Sequence, residues 1–177
     1  AAATTSSASA AVMGGGMGSS FVCAGSNIFI VDLENDGRIF GHKENEGPIN
    51  IIDLEENEVD NAIPAAPVVI TPDLARGIPW RGAMVYVNDL EGKITKINLT
   101  DQQTIPTDDA SLQAQLYDQT TILNIGTSKE NGRLSYFEMD ATIGTSTKDF
   151  WLFGGTGNFE RIGDVSLEMD NILYGVR

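Results

Sequence analysis

Three groupings of side chains in this chain have the types and spacing to do chemistry. The first is Asp32, Glu34 and Asp36, followed by Gly37, with carboxylates at alternate positions leading into a glycine turn. That is the opening of a calcium loop of the Asp-x-Asp-x-Asp-Gly kind, in which oxygen ligands converge on a hard cation. The twelfth position, where a bidentate glutamate completes such a loop, is Lys43, and Glu44 comes one step late. A hairpin turn at Asn35-Asp36-Gly37 accounts for the same residues without a metal. Asp32, Glu34 and Asp36 are kept as the candidate calcium ligands. The second grouping is the acidic run Glu55, Glu56, Glu58 and Asp60. Self-repulsion favours an extended, solvated loop there, with a docking surface for a basic partner as the functional alternative. The third is a pair of glycine-rich stretches, Gly14-Gly15-Gly16 with Gly18, and Gly154-Gly155-Thr156-Gly157. Their amides could cradle an anion, but no Lys-Ser or Lys-Thr and no helical pattern follows the first. Tight corners where sheets approach are the preferred reading of both.

Nucleophilic and multi-histidine chemistry has little to draw on. His42 is the only histidine and Cys23 the only cysteine. A triad would have to run through that one histidine, and neither an internal disulfide nor a cysteine-based zinc site can form. Trp80 and Trp151 read as packing residues between sheets rather than stacking platforms. Asn98-Leu99-Thr100 has the pattern of a glycosylation site. No catalytic residue is assigned, and the chain is read as a non-enzyme.

Charge narrows the partners. Across 177 residues, 11 Lys and Arg face 25 Asp and Glu, a net charge of −14. Such a surface repels phosphate backbones and anionic lipid, so neither nucleic acid nor a membrane surface is expected as partner. No stretch approaches the roughly 18–20 apolar residues that span a bilayer. At 41% hydrophobic residues the chain can build a core.

The elements that position these groups are read from a sentence the chain says twice. Residues 28–39 run Ile-Phe-Ile-Val-Asp-Leu-Glu-Asn-Asp-Gly-Arg-Ile, and residues 84–94 run Met-Val-Tyr-Val-Asn-Asp-Leu-Glu-Gly-Lys-Ile. The Asp-Leu-Glu triplets begin at Asp32 and Asp89, 57 positions apart. Strand-built self-similarity at such a period is the mark of a propeller blade. Hairpins are expected at Ile28–Leu33 with Arg38–Gly41, at Met84–Asp89 with Lys93–Leu99, and at Thr121–Thr127 with Leu134–Met139 around Asn131-Gly132. Further strands are expected at Ala11–Met13, Ile49–Leu54, Ala65–Thr71 (buried), Phe150–Gly154 and Ile172–Val176. Ala110–Tyr117 reads as a short helix or the start of a strand. No segment longer than about ten residues keeps a helical period. The fold class is all-β. Residues 1–10 form a low-complexity leading segment, and residues 11–177 about three to four blades of a partial or incomplete, quinoprotein-like β-propeller. Both ends read as cut or processed, so a fragment of a longer chain is expected. The open faces of such a fragment would be covered by another chain or by the rest of the same protein.

Taken in order, these pieces resemble the C-terminal β-propeller of the PilY family, proteins associated with the tips of type IV pili. The resemblance is carried by Val12-Met13-Gly14-Gly15-Gly16, Ile28-Phe29-Ile30-Val31-Asp32, Ile63-Pro64-Ala65, Val68-Val69-Ile70, Tyr86-Val87-Asn88-Asp89-Leu90-Glu91-Gly92, Leu152-Phe153-Gly154-Gly155-Thr156-Gly157 and Leu173-Tyr174-Gly175-Val176. It implies a non-enzymatic, exported module acting at the pilus tip in pilus biogenesis and cell adhesion. It also implies minor pilins or other pilus proteins as partners, and an extracellular or cell-surface location. Family members often hold calcium in an Asp-rich loop before the Tyr-containing strand. The matching stretch here, Pro72 to Ala83, has Asp73 as its one carboxylate and carries Arg76 and Arg81, so the resemblance does not extend to that site. The enzyme-class alternative is a quinone-dependent dehydrogenase on the same architecture. A third reading is a generic partner-binding propeller.

Overall fold

The computed structural model describes residues 10–16, 25–33, 39–40, 49–51, 59, 61–70, 82–100, 116–128, 130–158 and 171–177. These residues form strands and connecting loops, with no helix among them. The all-β expectation holds. The strands make three antiparallel sheets, the second and third of them simple meanders.

The first sheet contains β1 (Ala10–Gly14), β2 (Asn27–Asp32), β3 (Ile39–Phe40) and β4 (Ile49–Asn50). β2 pairs with β1 from Ala10↔Asp32 to Gly14↔Ile28. Its other edge carries β3 at Ile30 and Val31 and β4 at Asn27 and Ile28. β3 and β4 therefore share one edge of β2 in a common direction, as two pieces of one interrupted strand. The separate strand expected at Ile49–Leu54 is the continuation of the hairpin's second arm.

The second sheet runs in the order β5 (Val68–Ile70), β6 (Gly82–Asn88), β7 (Lys93–Thr100) and β8 (Leu116–Asn124). β6 and β7 are the expected hairpin, in register from Gly82↔Thr100 to Asn88↔Ile94. β8 begins earlier than expected and is bulged against β7 at two points, where the extra residues re-aim its side chains. β5 is an edge strand, preceded by Pro64 and Pro67, which donate no ladder hydrogen bond. Expected to be buried, it instead leaves Val69 44% exposed.

The third sheet has β10 (Phe150–Gly155) between β11 (Leu173–Val176) and β9 (Asp140–Ile143). The hairpin expected at Asn131-Gly132 does not form. Asn131 instead closes a loop on itself: its Oδ1 accepts from the Ser128 and Arg133 amides, and its Nδ2 donates to the Gly126 carbonyl. Those side-chain bonds replace a strand ladder. Residues 134–139 run on as a connector, bridged at Ser135 to Gly157. The strand that pairs with β10 starts only at Asp140.

The sheets are stacked. Ile28 and Ile30 of the first sheet, with Val12 against them, pack on Val85, Val87 and Ile97 of the second. Tyr86 and Ile94, on the opposite face of the second sheet, pack on Leu152 and Met139, joined by Phe150, Tyr174 and Val176. The middle sheet is thus covered on both faces. Its sequence dictates this: Ala83-Met84-Val85-Tyr86-Val87 is apolar at consecutive positions, and successive strand residues point to opposite faces. Tyr86 stacks on Phe150, with ring centroids 5.4 Å apart.

Candidate functional site

The most unusual chemistry among the described residues is the turn joining β6 to β7. Leu90-Glu91-Gly92 is a three-residue hairpin loop between Asp89 and Lys93, closed by Gly92 N–H to Asp89 O (3.0 Å) and Asp89 N–H to Lys93 O (3.1 Å). Gly92 sits at φ 74°, the left-handed conformation that such a loop needs at its last position. Its missing Cβ matters as well, because a methyl there would lie 2.3 Å from the Thr127 hydroxyl.

Three ionisable side chains of this loop are almost wholly buried: Asp89 at 1% exposure, Glu91 at 3% and Lys93 at 1%. The Lys93 ammonium lies 2.7 Å from Glu91 Oε2 and 3.4 Å from Asp89 Oδ2. Asp89 Oδ1 accepts the Lys93 amide at 3.0 Å. Burial drives the Asp89 carboxyl up to about 7; the neighbouring Lys93 opposes this shift and Glu91 adds to it. Two carboxylates sharing one ammonium carry an excess negative charge when all are ionised.

The loop is also a junction. Leu90 N–H donates to Ala62 O (2.9 Å), in the buried connector Asn61–Ala65 between the first and second sheets. Ile125 N–H donates to Gly92 O (2.9 Å), at the start of the connector leading to the third sheet. Asn88 Nδ2 donates to Phe137 O (2.9 Å) at the far end of that connector. Thr127 donates to Arg133 O (2.7 Å) inside it. Ile63 in turn bonds the Gly25 carbonyl and accepts from Gly16 N–H.

The candidate site residues fare differently. Asp32 ends β2, while Glu34 and Asp36 lie outside the described residues, as do Cys23, His42, Trp80, the loop Pro72–Arg81 and Glu55, Glu56, Glu58 and Asp60. Among the described residues no three His, Cys, Asp or Glu side chains converge as a metal site. Gly14-Gly15-Gly16 is a packing corner: a Cβ on Gly14 would meet Ile63 at 2.7 Å, and one on Gly15 the Gly25 carbonyl at 2.8 Å. Gly154 is crowded in the same sense by Tyr174, whose hydroxyl lies 2.3 Å from where a Cβ would be. Trp151, expected to pack between sheets, points away from the middle sheet. It stacks on Phe153 at 6.0 Å, on an outer face where Phe153 is 46% and Leu173 93% exposed.

The buried charge cluster is a site that inspection for known motifs misses. A signal was available: Asp, Glu and Lys at positions i, i+2 and i+4, flanked by apolar Val87 and Ile94 in a hairpin too short to reach water. Compared with known proteins, the chain matches no family model, no curated protein and no solved structure.

Proposed function

We propose that this chain is a run of propeller-type blades acting as a non-enzymatic interaction module in pilus assembly and surface adhesion, outside the cell, as in the type IV pilus family its sequence resembles. The observation that carries the reading is the stack itself: three antiparallel sheets packed face to face, with the repeated hairpin starting at the second strand of its sheet both times. In the register of the 57-residue repeat, Ile28 and Ile30 match Val85 and Val87, and the two pairs pack against each other between the first and second sheets. The apolar outer face of the third sheet, with Trp151, Phe153 and Leu173, is the place for a further blade or a pilus partner. Calcium at Asp32, Glu34 and Asp36 remains part of the proposal.

The experiment is co-purification of the native protein with minor pilins, together with a low-resolution image of the particle. Recovery with pilin chains and a disc of radial sheets supports the reading. A pilin-free particle that is not a disc overturns it. Replacing Phe153 and Leu173 by Lys removes recovery of partners if that face is the contact.

A further inference from the structure

Asn131-Gly132 is the one Asn-Gly pair in the sequence. Such a pair is chemically labile in an unfolded chain. The glycine amide nitrogen attacks the asparagine Cγ, the Cγ–Nδ2 bond breaks, and ammonia leaves with the amide proton, closing a succinimide ring. Water then opens that ring at either carbonyl, giving aspartate or isoaspartate. Glycine, having no Cβ, leaves its nitrogen the least hindered and its backbone the most free to reach this geometry. The reaction needs an unengaged glycine N–H and a side-chain amide free to swing onto it. Here both are held. Gly132 is buried, and its N–H donates to Ser128 O at 2.9 Å. Asn131 Oδ1 accepts from the amides of Ser128 (2.9 Å) and Arg133 (3.1 Å), and its Nδ2 donates to Gly126 O at 2.8 Å. The Asn131 N–H donates to Ser128 Oγ at 3.1 Å. Thr127, 0% exposed, fastens the loop to its far arm by donating to Arg133 O at 2.7 Å. Two amides on Oδ1 would by themselves polarise the carbonyl and favour attack. The nucleophile decides against it, because the Gly132 nitrogen cannot attack while its proton is committed to Ser128.

We propose that Asn131-Gly132 is a modification site guarded by the fold: the closed loop blocks deamidation, and deamidation during its openings undoes the loop and frees the connector between the middle and third sheets. The product accounts for the second half. Aspartate at this position still accepts from the Ser128 and Arg133 amides, but it sets a carboxylate oxygen against the Gly126 carbonyl where an N–H now stands. Two acceptors facing each other repel, and a hydrogen bond becomes an unmet acceptor. Isoaspartate also lengthens the main chain by one methylene, which shifts the Gly132 amide relative to Ser128 O. Neither product returns to asparagine, so the loop keeps a record of the time it has spent open.

The test is peptide mapping by mass spectrometry of the whole chain aged in mildly alkaline buffer, folded and in denaturant, at one pH and temperature. Conversion at Asn131 should be at least about tenfold slower in the folded protein, because only the open fraction of the loop reacts. Equal or faster conversion in the folded protein overturns the proposal. Thr127→Val removes the bond to Arg133 O and leaves the Asn-Gly pair untouched. It should raise conversion about fivefold in the folded protein, the weight of one ordinary hydrogen bond, and change nothing in denaturant. A folded rate that does not move overturns the proposal as well. The consequence is read by hydrogen exchange at the Ser128, Gly132 and Arg133 amides in the native protein and in Asn131→Asp. Exchange at least about tenfold faster in the variant supports release of the connector, and matching exchange overturns it.

Discussion

In the second copy of the repeat Asp89 and Glu91 are 1% and 3% exposed; in the first, Leu33, the middle residue of the same triplet, is 61% exposed. The wording Asp-Leu-Glu does not decide between these outcomes. What buries the second copy is its company. Two connectors close over its hairpin end, one through Ala62 and one through Ile125, Thr127 and Phe137. The second copy also has a shorter turn, because Asn35-Asp36 has no counterpart between Glu91 and Gly92. A short loop keeps its carboxylates close to the strand ends, where neighbouring segments can cover them. The comparison teaches that the same triplet leucine is exposed at Leu33 and half-buried at Leu90 according to what crosses the hairpin end.

Substitutions sharpen that contrast, beginning with the largest effect. Lys93→Met leaves Asp89 and Glu91 buried without their cation, and at neutral pH it should lose about 3–5 kcal/mol by denaturant titration. Part of the loss should return as pH falls and the carboxylates take up protons. Ile28→Ala, in the core between the first and middle sheets, should cost about 2–5 kcal/mol in the same measurement. Gly92→Ala forces a methyl onto the Thr127 hydroxyl at a positive φ, and a thermal melt should show a loss of about 1–3 kcal/mol. Thr127→Val removes one hydrogen bond within the connector and should cost about 1 kcal/mol. Leu33→Ala, in the exposed copy, should stay within about 0.5 kcal/mol of the native protein. A Leu33 variant as damaging as Ile28→Ala would erase the difference between the two hairpins.

The readable parts of the fold were those with local causes. The β6–β7 hairpin follows from apolar strands on either side of Glu91-Gly92, and β10 from a run of Phe, Trp and Leu. The Asn131-Gly132 hairpin was misread because a turn signal says where the chain bends and not what the flanks pair with. There, the Asn131 side chain took the hydrogen bonds that a strand partner would otherwise have made. Trp151 was misplaced for a related reason. Alternation along β10 puts it opposite Leu152, and the sequence does not tell which face meets the middle sheet. The candidate calcium ligands were legible as a pattern only, since ligation depends on convergence that spacing alone does not fix.

The sequence by itself determined that this protein is built from strands and where most of them turn, because pleat alternation and glycine turns act over a few residues. It also determined that β6 must be covered on both faces, since its apolar residues are consecutive. Only the tertiary structure decided that Asp89, Glu91 and Lys93 would lose their water. Desolvation depends on segments distant along the chain, here Ala62 and Phe137 closing on the same turn, and no local pattern encodes their arrival.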